Sequence, residues 1–82
     1  MVTPESIQSS ILANMACDTV EVAGDGQHFE ALIVSPAFRG LSRIARHRLV
    51  YAALGDRMRE EIHALSMTTQ TPEERAAAQR AG

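Results

Sequence analysis

The stretch GLSRIARHRLVYAALGD, residues 40–56, lies between two segments whose apolar residues alternate as they do in strands. These segments are HFEALIV, residues 28–34, and IHALSMTTQT, residues 62–71. Gly40 breaks the chain just before Ser42, a residue type that caps helix N-termini. We therefore predict a helix that joins two strands. Such a crossover permits parallel pairing, and it is then right-handed in nearly all proteins.

The predicted helix has one apolar side. At 100° per residue, the members of this stripe are Ile44, Val50, Tyr51, Leu54 and Met58. Arg43, Arg46 and Arg57 lie together along one border of the stripe. His47 projects from its middle, which favours a structural histidine bonded to backbone. Gly55 either interrupts or ends the helix.

A helix and a hairpin precede this unit. Thr3 and Pro4 have the residue types of a helix cap and a first helical position. The apolar stripe that follows is formed by Ile7, Ile11, Leu12 and Met15. Alternation then predicts a strand at residues 19–23, and Asp25-Gly26 favours the tight turn of a hairpin with the strand at 28–34.

The last part of the chain adds a strand and a helix. We predict the third strand at residues 64–70, parallel to the second. Thr71 and Glu74 have the spacing of a capping box, so a final helix begins there. This helix has little apolar surface beyond alanine, and we expect it to fray after about residue 75. The prediction is one α+β domain over residues 1–82, in the order αββαβα, with a three-stranded mixed sheet and helices on one face.

Composition narrows the classes of function. Eight Lys and Arg against ten Asp and Glu give a net charge of -2, unlike the strongly basic balance of dedicated nucleic-acid binders. The single cysteine, Cys17, excludes a disulfide within this chain and a multi-cysteine metal site. We expect Cys17 to be a small buried side chain. Lack of a signal-peptide pattern and of a long apolar run leads us to expect a cytoplasmic protein with no membrane contact.

Two histidines open predicted strands. His28 begins the second strand and His63 the third, so parallel pairing places both at one edge of the sheet, where neighbouring strands are about 4.8 Å apart. Imidazole suits iron, zinc and copper. Two histidines do not close a metal site, so a partner or cofactor must supply the other ligands. A solvated or hydrogen-bonded side chain remains the commoner role of a lone histidine, and no arrangement of nucleophile, base and orienting group indicates catalysis.

The stretches VSPAFRGLSRIARHRLVYAAL, residues 34–54, and EEIHALSMTTQTPEE, residues 60–74, closely resemble the BolA family. The signature positions are Ser35, Phe38, Gly40, Ser42, Arg46, His47 and Arg48. The turn GDGQHF, residues 24–29, is similar to the subgroup that carries a histidine in its first hairpin loop. The chain departs from the pattern at Gln70 and Arg75, where many relatives have an aromatic residue and a tryptophan.

The resemblance implies a KH-like fold of the second topological type and a non-enzymatic role. It implies pairing with a monothiol glutaredoxin around a bridging [2Fe-2S] cluster. His63 carries over as the expected ligand and His28 as the loop residue that completes the site. The glutaredoxin cysteine and glutathione then supply thiolates, and mixed His and Cys ligation raises the potential of such clusters. Alone, the chain is expected to hold no cluster and to be a monomer or weak homodimer.

The resemblance also leaves a second function open, because some BolA proteins are described as transcriptional regulators with a helix-turn-helix. Residues 31–55 hold four arginines and no acidic residue. Arg43, Arg46 and Arg57 are the candidate contacts to DNA phosphates. Binding to three phosphates predicts that the logarithm of the binding constant falls with the logarithm of the salt concentration with a slope of about -3. A solvated helix face, or a docking surface for glutaredoxin, explains this basic stretch equally well.

Overall fold

The structure, a computed structural model, describes residues 2–60, 62 and 64–81. Its elements in chain order are α1 (Pro4–Asn14), β1 (Thr19–Gly24), β2 (His28–Val34), a short 3₁₀ turn (Pro36–Phe38), α2 (Arg43–Leu54), α3 (Arg57–Glu60), β3 (Ala64–Gln70) and α4 (Pro72–Ala81). In this part of the chain no helix has the length and apolar character that crossing a membrane requires.

The three strands form one mixed sheet in the order β1-β2-β3. β1 pairs antiparallel with β2, from Thr19 opposite Val34 to Gly24 opposite Phe29. β2 pairs parallel with β3, from His28 opposite Ala64 to Val34 opposite Gln70. Both the predicted hairpin and the predicted parallel pair are confirmed. Parallel pairing is possible here because α2 and α3 carry the chain back to the edge at which β2 begins.

Helices α1 and α2 cover one face of the sheet. Phe29, Ala31 and Ile33 alternate along β2 and are buried, because every second residue of a strand faces the same side. The helical side chains packed in the same core are Ile7, Ile11, Val50 and Leu54. The predicted α+β class with helices on one face of a small mixed sheet is thereby confirmed.

The apolar stripes predicted for α1 and α2 are only partly correct. In α1, Leu12 is 49% exposed, whereas Ile7 and Ile11 are buried. In α2, Ile44 is 65% and Tyr51 40% exposed. The reason is that a helix resting on a small sheet buries a narrow strip, and the strip of α2 is turned toward Arg46, whose side chain is 13% exposed.

The prediction that Gly55 interrupts or ends α2 is confirmed, whereas the predicted row of Arg43, Arg46 and Arg57 along one helix is wrong. The helix ends at Leu54, where the N–H of Gly55 donates to the carbonyl of Tyr51 and Gly55 adopts a φ of 60°. Positive φ costs glycine little, so this residue ends the helix. Arg57 therefore begins a separate short helix, α3, and does not continue the row of Arg43 and Arg46.

The final helix lies where the sequence predicted one. α4 runs from Pro72 to Ala81, and the fraying expected after about residue 75 stays a prediction. The predicted capping box is present: Thr71 N–H donates to Glu74 Oε1 at 2.8 Å, and Glu74 N–H donates to Thr71 Oγ1 at 3.1 Å. Two ion pairs from arginines of the preceding segments, Arg39 to Glu73 and Arg46 to Glu74, hold the first turn.

Ser35 connects the end of β2 to three other segments. It is fully buried, and its hydroxyl donates to the carbonyl of Ala16. The same oxygen accepts from Ala37 N–H at 3.1 Å, and Ser35 N–H donates to Gln70 C=O at 3.0 Å. A buried hydroxyl needs such partners. Ser35 thus fixes the direction in which the chain leaves the sheet toward α2.

We predict that Gly24→Ala destabilises the protein. A Cβ at this position would lie 2.5 Å from the carbonyl oxygen of His28 and 2.5 Å from a ring carbon of Phe29. The hairpin must therefore open, at a cost of about 1–3 kcal/mol. Urea unfolding monitored by circular dichroism measures the change. Ala23→Ser, at an exposed neighbouring position of β1, is the control. Equal midpoints for Gly24→Ala and the parent would refute the close approach.

Candidate functional site

The candidate site is the edge of the sheet at which β2 and β3 begin. His28 opens β2 with an exposed side chain and lies opposite Ala64, the first residue of β3. His63 precedes Ala64 in the sequence but lies outside the described residues, so its role as a ligand stays a prediction. The predicted juxtaposition of the two strand starts is present, and the strands that carry them are parallel.

Asp25 organises the turn that leads into His28. Its Oδ1 accepts from Gln27 N–H and from His28 N–H, both at 2.9 Å, and its own N–H donates to His28 C=O at 3.2 Å. These backbone donors lower the pKa of the Asp25 carboxyl. The sequence analysis used Asp25 only as a turn former. The sequence signal for this hydrogen-bonding role is the position of Asp25, two residues before the Gln27 N–H group that its side chain binds.

The described residues near this edge do not form a closed metal site. Within residues 2–60, 62 and 64–81, no three His, Cys, Asp or Glu side chains converge on one point. Cys17 lies toward the other end of the sheet, where β1 starts opposite Val34. The seven-residue length of β2 separates that end from His28 by about 20 Å, at roughly 3.3 Å per residue. No thiolate of the described chain reaches His28.

Cys17 itself is part of the packing. It is partly buried and packs against the core. Burial, and then the nearby charge of Asp18, raise the pKa of its thiol. A raised pKa lowers the fraction of reactive thiolate, which agrees with the structural role predicted for this side chain.

Comparison with known proteins identifies the family. A model of the BolA-like protein family matches residues 5–74. The acid stress protein IbaG of Escherichia coli strain K12 is 37% identical over 69 residues, which cover 83% of this chain and 82% of IbaG. The chain belongs to the BolA family. A solved structure of a BolA protein homologue from Coxiella burnetii is 44% identical, has a TM-score of 0.80, and is matched over 93% of this chain and 99% of that one.

A shorter match is also informative. The UV-induced protein uvi31 of Schizosaccharomyces pombe is 54% identical over 48 residues. This alignment covers 57% of the present chain and 47% of uvi31. The chain therefore spans about half the length of this relative, and the resemblance is confined to that part.

Several residues of the BolA signature prove to be structural. Phe38 is fully buried, and Gly40 adopts a φ of 76°, which few other residues tolerate. Ser42 caps α2 by accepting from Ala45 N–H at 3.2 Å. In this chain, then, much of the BolA pattern between residues 35 and 46 specifies the path from β2 into α2.

Arg46, another signature residue, is held inside the molecule. Its Nη1 donates to Glu74 Oε1 at 2.6 Å and to Thr69 C=O at 3.2 Å, and its Nε donates to Leu41 C=O at 3.0 Å. The guanidinium also lies over the ring of Phe38, 5.8 Å from its centroid. These contacts engage most of its donors, which are the groups a phosphate would need.

The other two arginines predicted to contact DNA differ from Arg46 and from each other. Arg57 donates to the carbonyl of Ser6 at 3.0 Å, and Arg43 is exposed at the start of α2. The three side chains do not form the single helix edge that the sequence predicted. DNA binding by this set therefore remains a prediction, and the structure adds no support to it.

His47 is placed as a structural residue but without the expected bond. Its ring meets Tyr51 edge-on, with 6.5 Å between centroids and 75° between planes. Nε2 is buried and has no hydrogen-bond partner among the described residues. The predicted bond between the ring and backbone is not found among the described residues.

We predict that the ion pair of Arg46 and Glu74 gives this BolA protein an acid-sensitive stability. The Arg46 guanidinium, and then the N–H of Thr71, lower the pKa of Glu74 to about 2. Because the folded pKa is below the unfolded one, Glu74 stabilises the fold above its ordinary pKa of 4.5. This contribution is lost progressively as the pH falls toward 2.

Thermal melts of the parent and of Glu74→Gln between pH 7 and pH 3 test this expectation. The parent has the higher melting temperature at pH 7, and the difference in melting temperature between parent and variant becomes smaller as the pH falls. Glu21→Gln, at an exposed position of β1 with no ion pair among the described residues, is the matched control. If the difference in melting temperature is the same at every pH, the loss of stability in the variant comes from packing and not from charge.

Proposed function

We propose that this BolA protein is a non-enzymatic partner of a monothiol glutaredoxin and that the two proteins share a bridging [2Fe-2S] cluster, in iron–sulfur trafficking or in sensing of iron or redox state. The observation that carries the proposal is the parallel register that sets the exposed His28 opposite Ala64, the residue that follows His63 in the sequence. Membership of the BolA family supports the same role.

The donor set agrees with a cluster held jointly. The described part of the edge offers the imidazole of His28 and no thiolate, and Cys17 is about 20 Å away along the sheet. The partner would supply its cysteine, and glutathione would supply the second thiolate. A bound [2Fe-2S] cluster supplies one-electron redox chemistry, and His ligation tunes its potential.

The chain contributes ligands and their orientation. The bonds from Asp25 hold the backbone at His28, so the exposed ring starts from a defined position on the sheet. We assign the larger share of ligation to His63, following its match to the BolA pattern, and the supporting share to His28. Ligation requires neutral imidazole, so acid weakens the shared site. The name of IbaG, an acid stress protein, is compatible with such sensitivity in a relative.

We expect replacement of the two histidines to have unequal effects. In a complex copurified after coexpression with a monothiol glutaredoxin, His63→Ala shifts the visible circular dichroism bands and makes the cluster labile. His28→Ala changes the spectrum less and leaves some heterodimer, because the second imidazole and the thiolates remain. Visible absorption, circular dichroism and the rate of cluster loss give the comparison.

His47→Ala is the control within this experiment. Its ring lies against Tyr51 on α2, away from the edge at which β2 begins. We expect it to lower the melting temperature and to leave the cluster bands unchanged. A His63→Ala complex with the parent's spectrum and cluster lifetime would contradict the ligand assignment. If the mixture of the two proteins is colourless and retards DNA on a gel, the result would favour the alternative function, a DNA-binding transcriptional regulator.

A further inference from the structure

The outer edge of β3 carries backbone groups that are open to another strand. Ser35 N–H donates to Gln70 C=O, so the backbone groups of Gln70 face β2. Arg46 donates to Thr69 C=O from the other side. Because these groups alternate along a strand, the N–H and C=O of Met67 face the same free side as those of Thr69. In the part of the chain that the structure describes, no strand pairs with that side.

A groove of about 380 Å³ runs along this edge. It is lined by residues 67–70 of β3 and by Leu41, Arg43, Arg46 and Glu74. Gln70 is a lining residue, and its Oε1 atom is buried without a hydrogen-bond partner among the described residues.

The two edges of the sheet differ in their protection. On β1, the carbonyl of Val20 accepts from Gln8 Nε2 at 2.7 Å, and Glu21 places a charge on the strand. β3 has the sequence ALSMTTQ, with neither charge nor proline. Charged residues, prolines and covering groups are the devices that keep edge strands from pairing. β3 has no charged residue and no proline, and Arg46 covers the carbonyl of Thr69.

The charge beside the groove indicates what would bind. Arg46 is already paired with Glu74. Arg43 is exposed, and among the described residues it makes no ion pair. An incoming segment therefore meets one unpaired positive charge next to a row of uncharged backbone donors and acceptors. An acidic side chain on the segment would complement it.

We propose that an extended, acidic segment of a partner protein adds to the free edge of β3 as a fourth strand. Its carbonyls accept from the N–H groups of Met67 and Thr69, and an Asp or Glu faces Arg43. Strand addition of this kind takes its affinity from main-chain hydrogen bonds and its specificity from side chains. The Arg46 side chain at Thr69 sets the limit of the added strand at that end. The segment is accordingly short.

The proposal is independent of the cluster. Met67 lies three residues along β3 from Ala64, about 10 Å from the edge at which β2 and β3 begin. A segment in the groove therefore occupies a different part of β3 from the candidate cluster site. Binding can be measured on the free chain, without glutaredoxin.

The test uses three blocked hexapeptides, Val-Thr-X-Val-Thr-Ser, with Asp, Lys or Ser at X. Each is titrated to millimolar concentration into the ¹⁵N-labelled full chain, and amide exchange is followed residue by residue. We expect the Asp peptide to slow exchange at Met67 and Thr69 and to bind most tightly. The same peptide with N-methylated backbone should lose binding, because its own N–H donors are removed.

Charge variants separate groove binding from general attraction. Arg43→Glu should weaken the Asp peptide about fivefold, the effect of one exposed charge pair, and should favour the Lys peptide. Arg48→Glu changes an exposed arginine of the same helix that does not line the groove, and should bind as the parent does.

Three results would overturn the proposal: no protection at Met67 and Thr69, protection of β1 instead, or equal binding of the Asp and Lys peptides. Protection of the same amides by a single-stranded oligonucleotide, with none by the Asp peptide, would assign the groove to nucleic acid.

Discussion

The guanidinium of Arg46 joins the parts of this protein that come from distant points of the chain. It binds Leu41 before α2, Thr69 near the end of β3, and Glu74 in the first turn of α4. Arginine suits this position because its planar group presents five donors in fixed directions and stays charged. A lysine would offer a point charge and leave carbonyls without partners. The crossover helix, the third strand and the last helix are thus held in register by one side chain.

This arrangement changes how the BolA signature is understood in this chain. Ser35, Phe38, Gly40 and Ser42 direct the backbone from β2 into α2, and Arg46 locks the result. They act on the far end of the sheet from His28. The signature thus maintains the parallel pairing, and the pairing in turn defines the edge where ligands are expected. Framework and candidate site are separate groups of residues, connected through the register of β2 and β3.

The sequence predicted the sheet well because its signals are local. Alternation in residues 28–34 and 64–70, the Asp25-Gly26 turn and the capping residues each act over a few positions. It predicted the faces of α2 less well. Ile44 and Tyr51 share a helical side with Val50, but which part of that side meets the sheet depends on the packing of α1 and on the contacts of Arg46. Such long-range contacts produce no periodic pattern in the sequence. For the same reason, the sequence does not show that His47 Nε2 lacks a hydrogen-bond partner among the described residues.

The parallel pair also has a consequence for the order in which the molecule is made. The hairpin of β1 and β2 closes over a short turn, whereas β3 joins β2 only after α2 and α3 have been synthesised. Contacts between distant segments carry a larger loop-closure cost and form more slowly. On the ribosome, the strand that begins with His28 therefore exists for a time without its parallel neighbour. An edge shared by both strand starts is therefore complete only after β3, residues 64–70, has emerged.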